Sequence, residues 1–193
     1  MPDRILHIVL FAVFLSVGSL QAQNIHFSRY DFQPLMLNPA NSGSYYGSYR
    51  ISAIYRDQWA NLLPNRFSTP AVSIDAPLGI AFRDQDWIGI GVSFYQDKAG
   101  AGKLTTTGFN GYLSYHLALD KNQKNVLTLG LNGGSKTRKL GSINEFIFED
   151  QTSGIGSLSL EGSGGTVFGA GALFTTAIGN TDQLRIGFSA QNL

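Results

Sequence analysis

The sequence predicts an all-β protein, a transmembrane antiparallel β-barrel of the bacterial outer membrane. Three observations support this prediction. Apolar side chains recur at every second position, the positions between them hold small and polar residues, and charged residues make up only 14% of the chain. Successive side chains of a strand point to opposite faces of its sheet. A soluble sandwich must bury its apolar faces against each other, whereas one apolar face and one face of Gly, Ser, Thr and Asn suit a watery barrel in lipid.

The first 22 residues predict a secretory signal peptide. Arg4 precedes an apolar run over residues 5–17, and Ala22 lies at a plausible cleavage point. A basic start, a short apolar core and a small residue at the cut are the parts of such a peptide. A retained membrane anchor is the alternative, although the run is shorter than the ~20 residues of a spanning helix. The chain contains no cysteine, which excludes disulfides, thiolate metal sites and a lipid-modified cysteine.

Residues 23–47 are predicted to form an irregular periplasmic segment. Pro34 and Pro39 disfavour a helix or a central strand through it. Because the segment is aromatic and apolar, we expect it to pack in the barrel lumen or at its periplasmic mouth.

Residues 48–193 are predicted to be the barrel, with alternation that defines seven strands. The clearest strand places Ile88, Ile90, Val92 and Phe94 on one face and Gly89, Gly91, Ser93 and Tyr95 on the other. Most of the segments reach the ~9–11 residues that a spanning strand needs. The predicted strands are residues 48–58, 67–78, 87–96, 104–119, 126–136, 166–178 and 184–190.

Short and longer connections alternate between these strands, as periplasmic turns and extracellular loops do in outer-membrane barrels. The short turns are residues 82–86, 120–125 and 179–182. We therefore expect the N-terminal segment to be periplasmic, and the loops holding Trp59, Lys98 and Glu145 to face outward. Single-chain barrels usually have an even strand number. Seven strands favour part of a longer barrel; the alternative is a complete eight-stranded barrel with a further strand at residues 26–37.

Few residues in the sequence suggest a catalytic or cation-binding site. Ser114 and His116 share one face of a strand, but the sequence places no acid to orient the imidazole as a catalytic triad needs, so a polar lumen lining is the preferred interpretation. The acidic side chains Asp84, Asp86, Glu145, Glu149 and Asp150 could bind a hard cation, but their spacing matches no EF-hand loop and they are interpreted as solvated turns. No catalytic, cofactor-binding or metal-binding residue is predicted, and no cofactor.

Glycines and aromatic residues admit two interpretations each. The glycine-rich stretches at residues 162–165 and 169–171 lack the Lys-Ser/Thr ending of a phosphate-binding loop, so strand curvature and loop flexibility explain them better. Trp59, Trp87, Tyr95 and Tyr112 fit either aromatic girdles at the membrane–water interfaces or ordinary packing. The arginines Arg50, Arg56 and Arg185 are expected to point inward, since an Arg facing lipid costs ~2–4 kcal/mol at the midplane. Ile54 shares the face of Arg50 and Arg56, and we expect it to lie against the N-terminal segment.

Two motifs are more specific than alternation: Asn38-Pro39-Ala40, and the run from Arg56 to Trp59. With residues 26–40, residues 89–100 and residues 112–116, they resemble the PorP/SprF family of outer-membrane proteins from the type IX secretion and gliding-motility machinery. The resemblance covers residues 24–150 and continues more weakly to the end. Members of this family are longer than this chain, which agrees with the expectation of a partial barrel.

The resemblance implies a non-enzymatic role: binding large secreted adhesins through their C-terminal signal domain, and helping to export or anchor them. It implies periplasmic secretion and motility components and outer-membrane lipid as further partners. The formal net charge of +1 argues against a nucleic-acid surface. The alternative function is a small general porin or structural barrel, and a soluble secreted β protein ranks behind it.

Overall fold

The computed structural model of the protein describes residues 30–58, 67–99, 104–139, 162–179 and 182–191. The predicted signal peptide, Trp59 and the acidic residues Glu145, Glu149 and Asp150 lie outside these ranges. The strands are β1 (Arg50–Gln58), β2 (Phe67–Leu78), β3 (Trp87–Ala99), β4 (Leu104–Ala118), β5 (Asn125–Lys139), β6 (Ser163–Ile178) and β7 (Asp182–Gln191). Before them come a one-turn helix α1 (Pro34–Leu37) and 3₁₀ turns at Tyr30–Phe32 and Pro39–Asn41.

The seven strands form one antiparallel sheet in sequence order, β1 to β7, curled into a half-barrel. Each strand pairs with the next along the chain, so every connection is a hairpin. Within the described residues β1 and β7 are the two edges of the sheet, and the barrel is open between them. The predicted fold class, an antiparallel β-barrel of the outer-membrane type, is confirmed, and among the described residues the barrel is incomplete. No helix of the described ranges has the length and apolar character required to cross a membrane.

The predicted alternation is present on both faces of the sheet. Leu129 and Leu131 are each 61% exposed on the convex face, whereas the intervening strand positions turn inward and Thr128 is 1% exposed. Ser114 behaves like Thr128, with 2% exposure on the concave face. The convex face therefore carries exposed apolar side chains, and the concave face holds polar side chains that have partners inside.

Most strand boundaries differ from the predicted ones by one to three residues. The registers continue past the alternating part, with Ala99 paired to Leu104 and Arg138 to Ser163. Because main-chain pairing does not require an apolar side chain, polar residues at the strand ends stay in the ladder. β1 begins at Arg50, two residues later than predicted, after Gly47 with a φ of 146°.

The prediction that prolines keep residues 23–47 free of helix was wrong for the described part. Pro34 lies at the first position of α1, and Pro39 lies at the first position of the second 3₁₀ turn. Proline is tolerated there because the first N–H groups of a helix have no intrahelical partner. The alternative of an eighth strand at residues 26–37 is also wrong for the described residues 30–37, which form helical turns.

A small apolar cluster lies between the N-terminal residues and the first strands. Ala71 and Tyr95 are each 4% exposed, and Met36 and Ile54 pack against them. Ile54 and Met36 of the N-terminal residues thus pack on the same buried pair. This packing explains why an apolar side chain occupies the face that also carries Arg50 and Arg56.

Candidate functional site

Residues 33–44, here called the inner segment, lie across the concave face of the half-barrel. At one end the side-chain amide of Gln33 donates to the Ala71 carbonyl of β2 at 3.4 Å. In the middle the Asn38 amide donates to the carbonyls of Ala172 and Phe188, on β6 and β7, at 3.1 and 3.2 Å. The segment therefore connects the two sides of the half-barrel.

Asp75 of β2 joins the sheet to the inner segment. Its carboxylate accepts hydrogen bonds from Arg50 Nε at 2.9 Å and Nη2 at 2.8 Å, and from the Gly43 amide at 2.8 Å. The Asp75 side chain is 1% accessible, so these charge-assisted bonds satisfy a carboxylate that water does not reach.

His116 of β4 contacts the inner segment from the concave face of the sheet. Its Nε2 lies 2.8 Å from the Ser42 carbonyl, and its Nδ1 lies 2.9 Å from the Thr128 hydroxyl. Because a carbonyl only accepts, Nε2 carries a proton, and in the neutral imidazole Nδ1 then accepts from Thr128. Trp87 stacks on the imidazole with ring centroids 4.6 Å apart.

The Ser114–His116 pair serves the same contact. Ser114 Oγ lies 3.0 Å from His116 Nε2 and donates to the Ser42 carbonyl at 2.6 Å. Thr128, a hydroxyl, occupies the position at which a triad has its acid. The structure therefore favours the polar-lining interpretation, and adds that this lining binds the backbone of the inner segment.

The three strand arginines point inward, as predicted. Arg50 of β1 bonds Asp75 and also donates from Nη2 to the Asn41 carbonyl at 3.0 Å. Arg185 of β7 donates to both the carbonyl and the hydroxyl of Ser44, at 2.6 Å each. Arg56 donates to Gln58 on the same face. The two edge strands thus each hold the inner segment with a guanidinium group.

Glycines form the floor on which the inner segment lies. A Cβ at Gly130 would collide with the backbone of Pro39 and Ala40, and one at Gly89 would collide with the Ser42 carbonyl. A Cβ at Gly171 would meet the side-chain oxygen of Asn38. The interpretation of Gly169–Gly171 as mere strand curvature was therefore incomplete, because Gly171 makes room for the segment.

The interpretation of Asp86 as part of a solvated turn was wrong, because its side chain is buried and both carboxylate oxygens have partners. One accepts from the Ala118 amide at 3.0 Å, the other from the Tyr115 hydroxyl at 2.8 Å, with Arg83 Nε 3.7 Å away. Asp86 therefore fixes the turn between β2 and β3 against β4. Within the described residues no group of three or more His, Asp or Glu side chains is arranged to hold a metal ion.

The short-turn end of the half-barrel opens into a cavity of about 480 Å³, here called the mouth. It lies between the end of the inner segment, the turns after β2 and β4, and the start of β7; its lining includes Ser44, Tyr46, Asp84, Trp87, Lys124 and Arg185. Tyr46 is 88% exposed there.

Tyr45 closes one side of the mouth. Its hydroxyl donates to the Asp75 carbonyl at 2.7 Å, and the Arg50 guanidinium lies 4.5 Å from its ring centroid. Burial, followed by the negative charge of Asp75, raises the pKa of the Tyr45 hydroxyl above its ordinary value. The phenol therefore stays a neutral donor.

The aromatic residues named as possible girdles follow the packing interpretation where they are described. Tyr95 and Tyr112 are 4% and 6% exposed, and Trp87 donates to the Gly43 carbonyl at 3.0 Å. All three lie on the concave face, because they share the parity of the polar residues on their strands. The girdle interpretation was wrong for them.

The apolar convex face, the polar concave face and the hairpin topology define a membrane protein of the outer-membrane β-barrel class. The family described as type IX secretion system membrane protein PorP/SprF matches residues 19–193. The chain belongs to this family, which confirms the resemblance seen in its motifs. Comparisons with curated proteins and with solved structures gave no match.

Proposed function

We propose that this protein is an outer-membrane accessory of type IX secretion that binds large cell-surface adhesins through their C-terminal signal domain and helps to export or anchor them. Membership of the PorP/SprF family is the observation that supports this role. The proposed role is non-enzymatic. It agrees with the use of His116 and Asp86, the most enzyme-like side chains, in structural contacts.

The proposed orientation follows from the connections. The short turns and the mouth face the periplasm, where the N-terminus lies after removal of residues 1–22. The longer connections face the cell surface, where a cargo domain arrives. Tyr46 and the turn residue Lys124 are exposed at the mouth and offer periplasmic secretion components a mixed aromatic and basic surface.

A passive porin or small structural barrel is the alternative. The inner segment argues against a porin, because it occupies the concave face along which solutes would pass. Reconstitution into a planar bilayer separates the two functions. The secretion role predicts no steady small-ion conductance from the native protein, and a porin predicts stable conductance steps.

The direct test is deletion of the gene, followed by mass spectrometry of surface proteins and of proteins that co-purify with a tagged copy. The proposal expects loss of one or a few large adhesins from the surface while general export continues, and recovery of type IX components with the tagged protein. Unchanged surface proteins would refute it.

Two charge reversals test the orientation. Lys124→Glu changes the mouth, and Lys98→Glu is the matched control near the opposite end of the sheet. The proposal expects Lys124→Glu alone to reduce recovery of periplasmic components. Equal loss in both variants would contradict the assignment of the mouth to the periplasm.

A further inference from the structure

We propose that the concave face is a binding site for a polypeptide turn with small side chains, which the inner segment fills in cis and an equivalent segment of an exported protein replaces in trans. The identity of the replacing protein rests on the proposed function. The binding site itself rests on the contacts between the inner segment and the strands.

Strand side chains recognise the inner segment chiefly through its backbone carbonyls. Donors come from β1, β3, β4 and β7, so the recognition surface spans the half-barrel. The accepting carbonyls and their donors are Met36 and Leu37 with Gln191, Leu37 with Ser189, Asn41 with Arg50, Ser42 with Ser114 and His116, Gly43 with Trp87, and Ser44 with Arg185. Because every polypeptide presents carbonyls, these contacts select the path of a backbone and leave most side chains unspecified.

Sequence selection is concentrated in the turn at Asn38. Its side-chain oxygen accepts from the Ala40 amide at 2.9 Å, while its amide group donates to β6 and β7. Ala40 is fully buried over the glycine floor at Gly130, which leaves no room beneath it. The ligand class is therefore a turn with Asn, then Pro, then a small residue, followed by further small residues.

The inner segment does not satisfy the site completely. Gln33 Oε1 and Ser42 Oγ are buried without a hydrogen-bond partner, and on the sheet Asn132 Oδ1 is in the same state. Buried polar atoms without partners are unfavourable, so a different peptide has scope to bind better. The connection from the segment to β1 includes the exposed residues Tyr46 and Gly47, so the segment can leave while β1 stays paired.

The test converts the inner segment into a separate ligand. A protease recognition sequence inserted after Gly47 lets the full-length protein fold in detergent or vesicles before the connection is cut. A fluorescent synthetic peptide with the sequence of residues 30–47 is then added and its exchange into the cleaved protein is followed by anisotropy. Saturable binding that the unlabelled peptide reverses is the expected result.

Two peptide variants and two protein variants define the site. An Asn38→Ala peptide should bind about tenfold more weakly, because it loses two hydrogen bonds to the wall and one within the turn. A Ser42→Ala peptide should bind at least as well as the native one. Gly130→Val in the protein should abolish binding of the peptide. Gly111→Val should leave binding unchanged, because a Cβ at Gly111 would lie 3.8 Å from the Gly133 carbonyl oxygen, an ordinary contact distance.

Three outcomes overturn the inference: a cut segment that never exchanges with the peptide, a released segment that does not rebind, and binding that Gly130→Val leaves intact. Failure of the proposed function is distinguishable. Peptide exchange without adhesin co-purification refutes only the secretion role, and adhesin co-purification without exchange refutes only this site.

Discussion

Replacing Asp75 by Asn should loosen the inner segment by a predictable amount. The substitution removes the charge from a carboxylate that accepts from Arg50 Nε, Arg50 Nη2 and the Gly43 amide. Breaking a buried ion pair costs ~3–5 kcal/mol. The Arg50 side chain is 25% accessible and Asn keeps one acceptor oxygen, so we expect a smaller cost of about 2–3 kcal/mol for Asp75→Asn. This cost corresponds to a ~30- to 150-fold increase in the opening equilibrium of the inner segment.

A single cysteine measures this opening. The chain has no cysteine of its own, and Ser42 is a suitable position because its hydroxyl is buried and has no hydrogen-bond partner to lose. In Ser42→Cys protein the rate of maleimide labelling is proportional to the opened fraction. Adding Asp75→Asn should raise that rate ~30- to 150-fold, in proportion to the opening equilibrium.

Asp97→Asn is the matched control. Asp97 also accepts a hydrogen bond on the concave face, from the Thr69 hydroxyl at 2.6 Å, but it lies between β2 and β3 rather than against the inner segment. Asp97→Asn should leave the labelling rate of the Ser42→Cys protein unchanged. Equal rates with and without Asp75→Asn would refute the role assigned to Asp75.

Three further predictions concern the floor, the convex face and the imidazole. Gly130→Val should lower the free energy of unfolding by ~1–3 kcal/mol through overpacking, while Gly111→Val should not, as measured by urea unfolding in vesicles. Leu129→Arg should cost ~2–4 kcal/mol in the same assay because it places a charge in lipid, whereas Thr175→Arg at the mouth should cost much less; equal costs would contradict the assignment of the faces. His116→Ala should raise labelling at a cysteine in place of Ser42 by about tenfold or more, and no change would show that the imidazole does not hold the segment.

The strands and their faces were predictable because both depend on local alternation. The parity of Ile88 to Tyr95 fixed the face of every residue in β3, and the same rule placed Arg50 and Arg185 inside. The same alternation places Tyr95 on the polar face of β3. Applied to the aromatic residues, it would have excluded the girdle interpretation of Tyr95.

The contacts of the inner segment were not predictable, because they join residues far apart in the chain. His116 meets the Ser42 carbonyl across 74 residues, and Asn38 meets Phe188 across 150. A local signal existed for part of the site, since glycines at alternate positions of the inward face, such as Gly89 and Gly91, indicate that another backbone approaches closely. The helix at Pro34 was missed because proline was treated as a breaker rather than as a first helical residue.

Photo-crosslinking from the mouth in living cells tests the central claim most directly. A photoreactive amino acid in place of the exposed Tyr46 stands at the mouth, next to the end of the inner segment. A type IX accessory with a periplasmic mouth predicts a discrete adduct with a periplasmic component of the secretion machinery, identified by mass spectrometry. Adducts with lipid alone, or with abundant proteins unrelated to secretion, would contradict the account.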